Sequence, residues 1–300
     1  MTSSSEISNN CAWPRITIVT AVFNGAKYLA PTIRSVISQG YPNLEYFIVD
    51  GGSTDGTLDI IRNYEKDISG WWSGPDKGVY DALNKGFARS SGEILGWLNA
   101  SDLFHINGLF VVGSIFPAFP QAEWITGRPT DLSPECLTVN VRRIPRWSRY
   151  RVLAGANKYI QQESTFWRRS LWDRAGGALK VSFGVAADFE LWLRFFRLAQ
   201  LYSVDALIAG YRGHSDALSS SNYERYNNTC DEIIERELDS TKRSGPIKLF
   251  RQLSAAAQRV PKLRGLWQSV VMQSLYRLPG PDLPPVIKFD FDSNKWLIPR

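Results

Sequence analysis

Hydrophobic and polar positions in the first hundred residues alternate between two patterns. Residues 15–23 form a nearly continuous run of apolar and β-branched side chains, which is typical of a strand buried on both faces of a sheet. From Tyr28 to Ile37 the apolar residues instead recur at the spacing of an amphipathic helix. The two patterns then repeat and predict strands at 44–49, 69–73 and 93–98, with helices ending at Tyr64 and spanning 79–90. This order predicts an α/β fold with a mostly parallel central sheet flanked by helices.

The pattern is less regular after Asp102. It predicts a strand or hairpin over 138–150, a strand over 161–168, a helix over 189–199, a strand over 201–208 and a charged helix over 223–238. Residues 1–14 are rich in Ser and Asn and end in Pro14, so we expect a disordered lead-in there.

The composition fits a folded chain. The 300 residues are 44% hydrophobic and 13% aromatic, which excludes a wholly disordered protein. No apolar run reaches the roughly 18–20 residues that span a bilayer, and the N-terminus lacks the basic and apolar regions of a signal peptide. The cysteines, Cys11, Cys136 and Cys230, have neither metal-site nor disulfide spacing. We therefore expect a reduced, cytoplasmic protein.

Positive charge is concentrated near the C-terminus. Residues 241–281 contain eight Lys or Arg residues and no Asp or Glu, although the net charge of the whole chain is only +6. The remainder is therefore net negative, which argues against a nucleic-acid partner and for a localised anionic one. Apolar residues recur there at helical spacing, over 249–257 and over 263–275, and predict a basic amphipathic helical extension. This pattern favours an anionic membrane surface over packing on the fold or a dimer interface.

Candidate chemistry lies where the predicted strands end. Phe23 and Asn24 follow the first strand, Asp50 the second, and Asn99 to Asp102 the fourth, while Asp188 opens a later helix. Because the carboxyl ends of parallel strands meet at one edge of a sheet, these four segments are expected to converge on one rim.

Each acidic residue of this rim has a chemical and a structural interpretation. Asp50, which precedes two glycines, can bind a base edge or a ribose, or can serve only its own turn. Asp102 can hold Mg²⁺ or Mn²⁺ beside a diphosphate, or can cap the next helix. Asp188, walled by Phe189 and Trp192, can keep a raised pKa suited to a general base, or can cap its helix.

Several motifs resemble, in order and spacing, those of family 2 glycosyltransferases with the GT-A fold. They comprise residues 16–25, 49–57, 76–86, 96–102 and 162–169, the Asp188 segment and Tyr211 to His214. The resemblance is closest to bacterial enzymes that assemble O-antigen, capsule or exopolysaccharide repeat units. It implies a GT-A, Rossmann-like catalytic domain over 15–220, with a nucleotide-sugar half at 15–102 and an acceptor half at 103–220. Residues 221–300 would then be the helical basic tail.

The resemblance also implies a reaction and the residues that perform it. A nucleotide-sugar donor, with UDP-sugars favoured, would pass its sugar with inversion to a saccharide or lipid-diphosphate-linked acceptor. Asp102 and His214 would hold Mn²⁺ or Mg²⁺, and Asp188 would be the general base. Taken alone, a single histidine in a polar loop such as His214 more often faces solvent. The implied donor-binding residues are Phe23, Asp50, Lys77, Asp81, Asn99 and Ser101.

Departures from the family pattern bear on this interpretation, among them Gly51, where many relatives carry another Asp. Ser101 stands where the family usually has the first of two adjacent aspartates, so a carboxylate that contacts the donor ribose or a bound water is lost. The Gln-x-x-Arg-Trp motif of processive synthases is absent after Gln162, which favours addition of a single sugar. The prediction is a metal-dependent, inverting, non-processive glycosyltransferase at the inner face of a bacterial cytoplasmic membrane. The alternative is a non-catalytic sugar-nucleotide-binding or scaffold subunit.

Overall fold

The architecture is taken from a computed structural model that describes residues 13–155, 158–214, 222–240, 245–258 and 284–299. The predicted lead-in lies almost entirely outside these ranges. So do the second apolar stripe at 263–275 and six of the eight basic residues of the tail.

The first hundred residues form the parallel half of a central sheet, as the sequence predicted. Its strands are β1 (Ile16–Val22), β2 (Leu44–Asp50), β3 (Gly70–Ser73) and β4 (Ile94–Trp97). The helices between them are α1 (Ala26–Ile37), α2 (Thr57–Asn63) and α3 (Val79–Phe87). β1 pairs in parallel with β2 and β4, and all seven of its residues are buried. Its alternate side chains pack on opposite faces of the sheet, Ile18 on one and Val19 on the other.

Three strands of the second half extend this sheet: β6 (Trp124–Thr126), β9 (Thr165–Arg168) and β10 (Leu201–Ser203). The strand order is β10-β6-β9-β4-β1-β2-β3. β9 is antiparallel to β4 and β6, whereas the other four pairs are parallel. The predicted α/β fold with a mostly parallel central sheet is therefore confirmed. The elements from residue 103 to residue 212 are β5 (Leu103–Phe104), α4 (Gly108–Ala118), β6 (Trp124–Thr126), β7 (Thr130–Leu132), β8 (Thr138–Val141), α5 (Arg149–Leu153), β9 (Thr165–Arg168), α6 (Arg169–Arg174), α7 (Ala187–Leu198), β10 (Leu201–Ser203) and β11 (Ala209–Arg212).

A second sheet, of order β5-β11-β7-β8, is absent from the sequence prediction. β11 lies inside it, antiparallel to β5 and parallel to β7. The single strand predicted over 201–208 is wrong after Ser203, because β10 ends there, Val204 forms only an isolated bridge with Ile287, and the next strand begins at Ala209. The strand or hairpin predicted over 138–150 is reduced to β8, and Arg149 begins a helix.

Aromatic side chains fill the space between one face of the sheet and the helices α3, α6 and α7. Trp97, Trp124, Trp167 and Trp192 are each less than 2% exposed. The indole rings of Trp97 and Trp192 stack with their centroids 5.4 Å apart. Burial of each such side chain stabilises the fold by roughly 1.5–3 kcal/mol or more. Because Trp192 lies one helical turn after Asp188, this packing also fixes the position of that carboxyl.

Two helices begin the predicted tail, α8 (Tyr223–Asp239) and α9 (Gly245–Gln258). α8 packs on the sheet-flanking helices through Cys230, Ile234 and Leu238, all fully buried. Lys248 and Arg251 of α9 form ion pairs with carboxylates of α8, with N–O distances of 2.7 to 3.0 Å. The first stripe therefore packs partly on the fold, although Leu249 and Leu253 remain about half exposed.

The described end of the chain is a hairpin, not the helix that was predicted for residues 221–300. Its strands are β12 (Lys288–Asp290) and β13 (Lys295–Leu297). The N–H of Ile287 donates to the carbonyl of Ser203 at 2.8 Å, so this segment covers the edge strand β10. Among the helices of the described ranges, none has both the length and the apolar content needed to cross a membrane.

Candidate active site

The loops that follow β1 and β2 (residues 23–25 and 51–57) form, with the adjoining residues 76–81, one wall of the predicted rim, which we call the donor wall. The N–H of Asn24 donates to Oγ of Ser53 at 2.7 Å, and the N–H of Thr54 donates back to Oδ1 of Asn24 at 2.9 Å. The N–H of Gly25 donates to Oγ1 of Thr57 at 2.9 Å. Phe23 stands on this wall with 65% of its surface exposed, so its ring is open to stacking.

Asp50 is buried at the end of β2, and its carboxylate faces the turn that follows this strand. Its carboxylate accepts hydrogen bonds from the N–H groups of Gly52 and Ser53, at 2.9 and 3.0 Å, and from the hydroxyls of Ser53 and Ser73. Burial alone would raise the pKa of Asp50, but these hydrogen bonds outweigh it and hold the pKa below its ordinary value. Asp50 therefore stabilises its own turn, and its contact with a nucleotide base stays a prediction.

Asp81 and Lys77 lie at the start of α3. Oδ2 of Asp81 accepts from the N–H of Lys77 at 3.1 Å and from Nζ of Lys85 at 2.9 Å. The hydrogen bond from Lys85 is the main reason that the pKa of Asp81 is lowered. Lys77 itself has an exposed side chain, so it can still meet a diphosphate.

Asp76 is a residue of the donor wall that sequence reasoning missed. A Cβ atom on Gly51 would lie 2.9 Å from Oδ2 of Asp76 and 3.4 Å from the ring of Phe23, so both side chains border this glycine. The signal in the sequence was the Asp76-Lys77-Gly78 motif, of which only the lysine was taken as a candidate.

Asp102 is fully buried beneath the rim. Its Oδ1 accepts the backbone N–H of Arg212 at 3.0 Å, and its Oδ2 accepts the side-chain amide of Asn99 at 3.1 Å. Burial raises the pKa of Asp102 to about 7, although both hydrogen bonds oppose the rise. The next helix begins at Gly108 after Asn107, so Asp102 does not cap it and that interpretation is wrong.

Glu163 is a second buried carboxyl in the same region, and it too was missed. It lies in the turn before β9, is 2% exposed, and its Oε1 has no hydrogen-bond partner among the described side chains and backbone groups. Burial and the neighbouring Asp102 carboxylate raise the pKa of Glu163 well above its ordinary value. Two carboxyl groups so placed favour sharing a proton over ionising together.

Arg212 links the segment after β4 to α1. Its side chain is almost fully buried, and its guanidinium donates to the carbonyls of Ser101 and Tyr28 and to Sγ of Cys136. Sequence reasoning passed over this residue although it lies two positions before His214. The buried arginine anchors the loop that carries His214.

His214 lies at the side of α1, where its ring and that of Tyr28 have centroids 4.1 Å apart. The two rings, together with Lys27, Arg212 and Cys136, line a pocket of about 400 Å³. His214 therefore contacts protein on one side and is not purely solvent-facing, and its contact with a metal stays a prediction.

The metal predicted at Asp102 and His214 does not fit the residues as they are placed. The carboxylate of Asp102 has no exposed surface and accepts one protein hydrogen bond on each oxygen. As placed, it does not reach a metal ion that binds a donor phosphate at the rim. Ser101 offers a hydroxyl where a second carboxylate would be expected. In the described ranges, no group of three or more His, Cys, Asp or Glu side chains is arranged to hold an ion.

Asp188 is the second residue of α7 and is only 8% exposed. Its Oδ1 has no hydrogen-bond partner in the part of the chain that is described. Burial raises the pKa of Asp188 to about 6, and the N–H of Phe189 and the nearby hydroxyls of Tyr80 and Tyr226 limit the rise. The helix is preceded by Ala186 at the capping position, so the capping interpretation of Asp188 is wrong.

The helix α3 connects this carboxyl to the donor wall. Tyr80 lies against Asp188 and donates its hydroxyl to the carbonyl of Val185 at 3.1 Å, while the next residue is Asp81 of the wall. One short helix therefore carries a residue of the predicted donor site and a neighbour of the predicted base.

Comparison with known proteins agrees with this fold. The family model described as Glycosyl transferase family 2 matches residues 17–110. An uncharacterized glycosyltransferase of Mycobacterium tuberculosis is 33% identical over 187 residues, which cover 60% of this chain and 68% of that protein. This chain belongs to glycosyltransferase family 2. TuaG of Bacillus subtilis, a putative teichuronic acid biosynthesis glycosyltransferase, is 35% identical to this glycosyltransferase over 92 residues, 30% of this chain and 36% of TuaG.

Solved structures share the GT-A fold with this glycosyltransferase. Residues 1–349 of TarS from S. aureus, in complex with UDP-GlcNAc, superpose with a TM-score of 0.64 at 14% identity, over 87% of this chain and 77% of that one. The mannosyltransferase PcManGT from Pyrobaculum calidifontis, in complex with GDP-Man and Mn²⁺, superposes with a TM-score of 0.53 at 15% identity. That match covers 89% of this chain and 87% of the mannosyltransferase.

Proposed function

We propose that this protein transfers a single sugar from a nucleotide-sugar donor to a saccharide acceptor with inversion at the anomeric carbon, using Asp188 as the general base. The observation that carries the proposal is Asp188 itself. It is a buried carboxyl with a pKa raised to about 6, one oxygen without a donor, and a position beside the donor wall. Such a group is poised to accept a proton near neutral pH.

The donor is proposed to be a nucleoside diphosphate sugar, with UDP-sugars favoured. TarS in complex with UDP-GlcNAc and PcManGT in complex with GDP-Man support this substrate class. The exposed ring of Phe23 would stack on the base, and the exposed side chain of Lys77 would meet the diphosphate. Residues 15–102 would then form the donor half and residues 103–220 the acceptor half.

The proposed step is a single displacement. The acceptor oxygen forms the bond to the anomeric carbon as its proton passes to the carboxylate of Asp188. The bond from the anomeric carbon to the diphosphate breaks, and the nucleoside diphosphate leaves with the electron pair. Because the base and the leaving group act on opposite faces of the sugar, the configuration inverts and no covalent intermediate is required.

No step of this mechanism is assigned to a metal. PcManGT is in complex with Mn²⁺, and the sequence predicted Mn²⁺ or Mg²⁺ here. The buried Asp102, however, offers no exposed oxygen to a metal ion that would bind the donor diphosphate. The charge of the leaving group is therefore left to Lys77, whose side chain is exposed.

A role in surface polysaccharide synthesis is proposed on the similarity to TuaG. The acceptor would be a saccharide, free or linked to a lipid diphosphate. Docking of residues 241–281 on an anionic membrane, and a location at its cytoplasmic face, stay predictions. Lys248 and Arg251 are already paired with carboxylates of α8, so such docking would depend on the other six basic residues.

The test is calorimetric binding of UDP-, GDP- and dTDP-sugars to the full chain, followed by release of the nucleoside diphosphate in the presence of a saccharide mixture. We expect one nucleotide class to bind and to turn over, and Asp188→Asn to lower turnover by about 10²–10⁴ while sparing donor binding. Donor binding without turnover in the unaltered protein would instead support the non-catalytic subunit, which the serine at position 101 makes a specific alternative. No binding of any donor by folded protein would reject both.

A further inference from the structure

The backbone segment that leads into α7 has an exposed middle between two anchored ends. It runs from Leu179 to Val185, shortly before Asp188, and we call residues 179–185 the entry segment. Residues 180–182 and Gly184 are exposed, so burial contributes little to holding the middle of the segment. The course of the entry segment therefore depends on the bonds made at its ends.

Two side chains of α3 bond these two ends. Nδ2 of Asn84 donates to the carbonyl of Leu179 at 2.8 Å, and Oδ1 of Asn84 accepts the N–H of Leu179, also at 2.8 Å. The hydroxyl of Tyr80, one helical turn earlier, donates to the carbonyl of Val185 at 3.1 Å. Because residues four apart share a face of a helix, a single face of α3 holds both ends of the entry segment.

The entry segment is also bonded to α7, the helix that carries Asp188. Nη2 of Arg194 donates to the carbonyl of Ala178 at 2.7 Å, and Nζ of Lys180 pairs with Oε1 of Glu190 at 2.8 Å. Arg194 and Glu190 both belong to α7 and form an ion pair at 2.9 Å. The entry segment and α7 are thus joined to each other, and the bonds from α3 join both to the helix that begins in the donor wall.

We infer that Asn84 is a positioning residue for sugar transfer, because its paired hydrogen bonds to Leu179 set the place of Asp188 relative to the donor wall. Asp81 of the donor wall lies three residues before Asn84 on the same helix. A shift of the entry segment along α3 therefore changes the separation of base and donor, and about 1 Å of misplacement can cost 10²-fold in rate. Both polar atoms of the Asn84 side chain are engaged by Leu179, so the residue acts through the segment and not on substrate. The inference rests on the proposed role of Asp188 as the base.

Asn84 tests position more cleanly than Tyr80 does. The hydroxyl of Tyr80 also lowers the pKa of Asp188, so its removal would change the position and the titration of that carboxyl together. Asn84 bonds the far end of the entry segment, nine residues before Asp188 in sequence, so its replacement changes position alone.

The experiment measures kcat and donor Kd in the full chain, with whichever of the UDP-, GDP- and dTDP-sugars binds and with the saccharide mixture as acceptor. We expect Asn84→Ala to lower kcat about 10–100-fold and to leave the donor Kd within about threefold. In the Asp188→Asn background the same change should alter kcat by less than about twofold, because no base remains to be displaced. Asn84→Asp keeps the acceptor for the Leu179 N–H but loses the donor to its carbonyl, so it should act in the same direction.

Asn43→Ala is the matched control. Asn43 is another half-buried asparagine that joins separate segments, since its Oδ1 accepts Nε of Arg15 at 3.1 Å and its Nδ2 donates to the carbonyl of Trp13 at 3.0 Å. It precedes β2, at the end of the sheet away from the rim, so its replacement should lower the urea midpoint and leave kcat unchanged.

An unchanged kcat in folded Asn84→Ala overturns the inference, and so does an equal loss of kcat with and without Asp188. If Asn84→Ala does not fold, Asn84→Asp decides by the same criteria. Full turnover by Asp188→Asn would reject the proposed base and the inference with it. Failure of the unaltered protein to bind or turn over any donor would instead reject the proposed function.

Discussion

The backbone N–H of Arg212 donates to the carboxylate of Asp102 across 110 positions of sequence. The side chain of the same arginine donates to the carbonyl of Ser101, so Arg212 bonds to both of the adjacent residues Ser101 and Asp102. The contact joins β11 of the second sheet to the segment that follows β4 of the first. Asp102 therefore has a structural task, in the position where the family resemblance implied a metal ligand.

Replacement of Asp102 by alanine is expected to destabilise the fold. The change leaves the buried N–H of Arg212 without an acceptor and removes the acceptor of the half-buried Asn99 amide, which costs about 1–3 kcal/mol. The measurement is the free energy of unfolding by urea. Ser101→Ala is the control, since the half-buried Ser101 side chain should contribute less than about 0.5 kcal/mol. A stable Asp102→Ala protein that has lost Mn²⁺ binding would contradict the structural role.

Donor binding is expected to depend little on divalent metal. With Asp102 buried, the calorimetric Kd for the donor should differ by less than about threefold between EDTA and Mn²⁺. Ser101→Asp places a carboxylate at the rim and should make donor binding tighter in Mn²⁺ than in EDTA. Ser101→Asn, similar in size but uncharged, is its matched control. Donor binding by the unaltered protein that requires Mn²⁺ would show that Asp102 turns outward when substrate arrives.

The central sheet was predictable because its first four strands and three helices are encoded by local periodicity. β1 is buried throughout, and the apolar residues of α1 recur on one face, so the hydrophobic pattern alone separates them. The second sheet has strands of only two to four residues, paired over long distances, and so short a run shows no period. β11, and with it Arg212, was missed for this reason.

The positions of the site residues were predictable, whereas the directions of their side chains were not. Spacing along the chain places Asp50 and Asp102 at strand ends, but it does not show that both carboxylates turn to protein donors. Asp188 differs because the neighbouring residues Phe189 and Trp192 predict apolar surroundings, and burial does raise the pKa of Asp188. Its partners Tyr80 and Tyr226 come from distant elements and gave no local signal.

Asp188→Asn is expected to stabilise the protein at neutral pH. The folded pKa of Asp188 is about 6 and the model-peptide value for Asp is near 4, so between these pH values the folded state binds more protons than the unfolded state. The free energy of unfolding therefore falls as pH rises through this window. Asparagine mimics the neutral form and should recover on the order of 1–3 kcal/mol at pH 8 and nearly nothing at pH 4. An equal effect at both pH values would mean that charge is not the cause.

The pH dependence of turnover should report the same carboxyl. A base must be ionised, so kcat is expected to fall as pH drops below about 6, where Asp188 becomes protonated. Asp188→Asn should lower kcat by about 10²–10⁴ and abolish this acidic limb, with the donor Kd unchanged. Asp173→Asn, an exposed aspartate of α6, is the matched control and should keep the unaltered profile. If the acidic limb survives in Asp188→Asn, another group titrates there. Glu163, the other buried carboxyl with an oxygen that lacks a partner among the described residues, would then be the next to replace.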